Sequence, residues 1–102
     1  MKNAENAVIT TNAIITVNNV SVIETLEING ETVYIYKDIC GGDRAKAYFT
    51  NELAAVAQAV DDATFFLSVC KRASREKDFL TAAVRILADA EAILRYREFS
   101  EH

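Results

Sequence analysis

Glu24, Cys40, Cys70 and the basic run Lys71, Arg72, Arg75 and Lys77 are the side chains in this sequence whose types could do chemistry. A carboxylate held among apolar strand neighbours titrates high and suits acid–base work, and a thiol near a helix N-terminus loses its proton readily. Clustered lysines and arginines meet phosphates. Each candidate lacks the company its chemistry needs. No histidine or second carboxylate adjoins Glu24 in sequence, and Lys37 is its expected diagonal neighbour across a hairpin, so an ion pair or an outward bulge accounts for the charge. Cys40 precedes Gly41-Gly42 with no base in view, and the expectation for it is small apolar packing. Cys70 lies on an apolar helix stripe and belongs to the core. Two cysteines 30 positions apart and a histidine at position 102 cannot make an ordinary Cys/His zinc site. Glu76 and Asp78 interleave with the basic run, which reads as a solvated turn, and Gly41-Gly42-Asp43 is too short for a phosphate loop. The expectation is a protein that is not an enzyme and holds no metal or cofactor.

The elements that position these residues follow from two turns. Asn29-Gly30 is the strongest short-range signal for a two-residue hairpin, because both central residues of a type I′ turn need positive φ. It sets Ile28 against Glu31, Leu26 against Val33, Glu24 against Ile35, Ile23 against Tyr36 and Val22 against Lys37. Asn18-Asn19 makes a similar turn, since asparagine tolerates the left-handed region, and pairs Val17 with Val20, Ile15 with Val22, Ala13 with Glu24 and Ile9 with Ile28. Strands are expected over about 7–17, 20–28 and 31–38. Side chains alternate with a period of two, so Ile9, Ala13, Ile15, Val17, Val20, Val22, Leu26, Ile28, Val33 and Ile35 share the expected inner face.

After Cys40-Gly41-Gly42-Asp43 the period changes to that of a helix. Phe49, Leu53, Val56, Val60, Ala63, Leu67 and Cys70 recur at spacings of three and four, which predicts a helix over about 44–73 with Asp43 as N-cap. Such a helix outruns a nine-residue strand, and Thr50-Asn51 and Asp61-Asp62 are its expected breaks, because short polar side chains compete for backbone hydrogen bonds. A second helix over about 78–99, capped by Ser74 or Asp78, carries Phe79, Leu80, Ala83, Val84, Ile86, Leu87, Ala90, Ile93 and Leu94 on a wide apolar face, with Glu91 and Arg95 spaced for an ion pair. The expected fold is α+β, a two-layer β-β-β-α-α single domain over 1–102, with a three-stranded antiparallel meander covered on one face by an antiparallel helix pair.

The uncovered face would then show Val8, Ile14, Ile23, Tyr34 and Tyr36, and an apolar row of that kind marks a surface for another protein or a second copy. With 102 residues, 51% of them apolar, a net charge of −4 and no apolar run of membrane length, the expected location is the cytoplasm, and a basic macromolecule suits the charge. Small acidic proteins without a reaction centre are common among bacterial and phage accessory factors, including toxin immunity proteins and inhibitors of nucleic-acid machinery. The functional expectation is a protein-binding module, an accessory or inhibitor that docks or self-associates as a homodimer through its bare sheet face. The alternatives are a nucleic-acid-binding accessory protein using residues 71–77 and a small enzyme using Glu24 or Cys40.

Overall fold

Asn18, Asn19 and Asn29 take positive φ values of 50°, 69° and 52°, and Gly30 stands at 83°, so both two-residue turns form with the left-handed backbone their sequences allow. The computed structural model describes residues 10–37, 39, 45–70 and 75–100. The turns join β1 (Thr10–Val17), β2 (Val20–Ile28) and β3 (Glu31–Lys37) into an antiparallel meander. The predicted partners Val17 and Val20, Ala13 and Glu24, Ile23 and Tyr36, Glu24 and Ile35, Leu26 and Val33, and Ile28 and Glu31 all pair.

The sheet has a fourth strand where the helix was expected to begin. β4 (Ala45–Phe49) pairs with β3, setting Tyr34 against Phe49, Ile35 against Tyr48 and Tyr36 against Ala47, and the sheet runs in the order β1-β2-β3-β4. The cause is Asn51. Its backbone is extended, at φ −127° and ψ 126°, and its side-chain oxygen accepts from the Ala54 N–H at 3.0 Å, which fixes it as the N-cap of α1 (Glu52–Val69). Thr50-Asn51 is thus the start of the helix rather than a break within it. Asp61-Asp62 lies inside α1 and breaks nothing. Cys70 ends the helix, and its N–H donates to the carbonyls of Phe66 and Leu67. The second helix, α2 (Arg75–Ser100), already contains Asp78 in its first turn, and Ser74 lies outside the described residues. The fold is α+β, as expected, with four strands in place of three.

The described residues form two layers, and the Cα trace extends 18 Å in its thinnest direction. Both helices cover one face of the sheet, α1 beneath β2, β3 and β4 and α2 beneath β1. Between the layers lies a core of Val17, Val22, Ile23, Tyr36 and Ile39 from the sheet side, Ala55, Val56, Ala59 and Ala63 from α1, and Leu80, Ala83 and Leu87 from α2. The small alanines of α1 let the helix approach the sheet closely. Among the described residues no helix is long and apolar enough to cross a membrane.

The expected inner and outer faces are exchanged over most of the sheet. Ile23 and Tyr36, assigned to the bare face, are 0% and 1% exposed beneath the helices, whereas Leu26, Ile28, Val33 and Ile35, assigned to the core, face away from them. The physical reason is a pair of bulges. Register shifts flank Ile15, which pairs with Ile23 instead of Val22, so the successive residues Val22 and Ile23 are both fully buried. Near the Asn18-Asn19 turn, Val17 and Val22 point inward as expected; past the bulge the parity flips, and Ile23 and Tyr36 take over.

Candidate docking surface

The outward face past the bulge is built from three strands. Leu26 and Val33 pair across β2 and β3, Ile35 pairs with Glu24 on one side and Tyr48 on the other, and Ile28 pairs with Glu31 at the hairpin end. Leu26, Ile28 and Val33 are half-buried and Tyr48 is 65% exposed, while Ile35 is screened by its neighbours yet lies outside the core cluster. This is a contiguous apolar strip on a sheet whose other side is already satisfied. Its rim is charged. Lys37 Nζ sits 3.6 Å from Glu24 Oε2, so the predicted diagonal pair forms, and it forms on the outward face rather than in the core. Among the described residues no charged or polar side chain is buried.

Of the residues expected to bind a partner, Ile14 is exposed at 36% on β1, and Tyr34 is half-buried with its ring against the core. Ile23 and Tyr36 are core residues, so neither can meet a partner in the folded chain. Val8, Cys40, Lys71 and Arg72 lie outside the described residues. Arg75 is exposed and Lys77 half-buried on the first turn of α2, where Glu76 and Asp78 add two negative charges. Cys70 is a free, half-buried thiol packed against the core, as the apolar stripe predicted. Among the described residues no group of histidines, cysteines and carboxylates could hold a metal.

Tyr48 is the outward residue that sequence reasoning missed, because it was counted within a helix. Alternation over Ala45-Lys46-Ala47-Tyr48-Phe49, followed by an Asn-Glu start signal, was the available cue. Also unforeseen is the polar clamp that holds α1 to the sheet. Asp62 accepts from Tyr36 Oη at 3.0 Å and from Gln58 Nε2 at 3.0 Å, and Lys46 Nζ reaches it at 3.1 Å. The register shift between Tyr36 and Lys37 turns Lys46 toward α1, over the rings of Tyr36 and Phe66 at 5.9 and 5.3 Å. Burial pushes the Asp62 carboxyl up, but the hydrogen bonds from Lys46, Tyr36 and Gln58, with the Lys46 charge, outweigh it and hold the group below its ordinary value. Asp62 thus ties α1 to β3 through Tyr36 and to β4 through Lys46.

An open cleft of about 530 Å³ lies where the C-terminal end of α2 meets the start of α1, with Tyr34, Asn51, Leu53, Leu94 and Glu98 among its walls. Arg97 crosses it to Glu52 at 3.5 Å, and the arginine is 60% exposed, so the pair is a surface contact of small energetic weight. Its walls carry Thr50, Glu52 and Glu98, with no histidine or cysteine among them. No protein-family model matches this chain, and no curated protein or solved structure shows a significant match to it.

Proposed function

We propose that this chain is a non-enzymatic, cytoplasmic protein-binding module, an accessory or inhibitor protein that acts by laying the outward face of its sheet on a macromolecular partner. The observation that carries the reading is the strip formed by Leu26, Val33, Ile35 and Tyr48, which the chain's own helices leave uncovered because both lie on the opposite side. An exposed apolar strip that includes a tyrosine and has a charged rim is a common make-up of protein interfaces. The net charge of −4 suits a basic partner surface.

The test is capture of partners on immobilised wild type beside Tyr48→Asp and Val33→Asp, with the melting temperature of each variant measured in parallel. A partner held by wild type and lost by both folded variants supports the reading. Retention by both overturns it. Capture of nucleic acid that weakens steeply with salt and with Arg75→Glu, and is indifferent to Tyr48→Asp, would transfer the function to the basic corner.

A further inference from the structure

We infer that a second copy of this chain pairs along β1, extending the four-stranded sheet into a continuous eight-stranded one about a twofold axis. Three observations converge on the same border of the molecule. First, β1 is an edge strand eight residues long, and it lies within a run of 18 consecutive uncharged residues, Asn6 to Ile23, in a chain that is 25% charged. A twofold axis sets like beside like, so a charged strand would repel itself, whereas this neutral one meets its copy without penalty.

The opposite edge is defended. β4 has five residues and turns Lys46 inward onto Asp62, and a short strand with an inward charge is what keeps a sheet edge from recruiting another strand. β1 carries neither lysine nor proline.

Second, the helix beneath that border shows apolar side chains sideways. α2 touches the sheet along β1, and α1 takes the other three strands, so the flank of α2 remote from α1 lies below the β1 edge. Ile86 and Ile93, two turns apart, are 39% and 60% exposed, and each stands about 100° round the helix from a core-directed neighbour, Leu87 and Leu94. An antiparallel crossing centred between them sets Ile86 of one copy against Ile93 of the other.

Third, the spacings agree. Four strands at about 4.8 Å and two helices at about 10 Å both occupy about 19–20 Å, so continuing the sheet by one strand spacing also brings the two α2 helices to an ordinary packing distance. Strand pairing and helix packing are satisfied by one placement. The outward apolar strip is left open on both copies, which makes the pairing independent of the function proposed above.

The test uses sedimentation of the full chain over a range of concentrations. Wild type should run at twice the chain mass. Ile14 and Thr16 are exposed on the outward side of β1, so the double variants Ile14→Lys with Thr16→Lys and Ile14→Glu with Thr16→Glu load the edge with charge without entering the core. Each alone should run as a monomer with an unchanged far-ultraviolet circular dichroism spectrum, and an equimolar mixture of the two should recover the dimer. Ile93→Asp, on the helix flank, should weaken self-association at least tenfold, and Tyr48→Asp should leave it intact. Monomeric wild type, dimeric edge variants, or a mixture that stays monomeric would each overturn the inference. Loss of the dimer in Tyr48→Asp with the edge variants still paired would overturn it in favour of a face-to-face dimer.

Discussion

Ile23→Ala tests which side of the sheet is dry. Ile23 has no exposed surface and packs in the cluster that joins sheet to helices, so removing three of its carbons forfeits about 2.4 kcal/mol of transfer energy at about 0.8 per methylene, and the residual cavity adds more. The expected loss is about 3 kcal/mol, equivalent to about 12–24 °C of melting temperature in a chain of this size. The comparison is Leu26→Ala on the same strand. Leu26 is partly exposed to water on the outward face, so its truncation should cost under about 1.5 kcal/mol. Urea titrations followed by circular dichroism, fitted for midpoint and slope at one low protein concentration, measure both, since an oligomer's stability shifts with concentration. If Leu26→Ala costs as much as Ile23→Ala, the assignment of the faces is wrong.

Asp62→Asn should destabilise by about 1–2 kcal/mol, because the Lys46 charge loses its counterion while the amide keeps only part of the hydrogen bonding; chemical denaturation reads it. The pH dependence has a definite sign. The Asp62 carboxyl titrates lower in the folded chain than unfolded, so its contribution is complete above the unfolded value near 4 and is lost as pH falls through the folded value; the wild-type minus Asp62→Asn stability difference should shrink below about pH 4. Asn51→Ala should cost about 1 kcal/mol in melting experiments and Asn51→Ser much less, since the serine hydroxyl can still accept from Ala54 N–H. Gly30→Ala meets open space, so its cost of about 1–2 kcal/mol would come from backbone strain at φ 83° alone, and Gly30→Asn should recover most of it.

Both two-residue turns, and the register next to each, were legible because asparagine and glycine dictate positive φ locally, within two residues of where it is needed. The Glu91 and Arg95 pair, at 3.3 Å, was legible for the same reason: four-residue spacing on a helix is geometry without context. The faces were not legible, since a bulge at Val22 and Ile23 inverts everything beyond it, and both residues are apolar, so neither announces the fault. Phe49 was misread because a helix stripe and a strand that packs on the same core both end in a large apolar side chain. The Asp62 clamp draws Tyr36 and Lys46 from two strands onto a helix, and no spacing in the chain encodes that meeting.

The strictly sequential topology also sets a timetable for synthesis. All four strands leave the ribosome before Leu87, which closes the core from α2, and at about 5–20 residues per second the 38 residues between Phe49 and Leu87 take about 2–8 s to make. α1 can cover β2, β3 and β4 partway through that interval, but β1 waits for α2 and meanwhile offers a long uncharged segment to its surroundings. A chain built this way would need early shielding by holdase chaperones, and crowded expression at high temperature would lose it to aggregation before the second helix arrived.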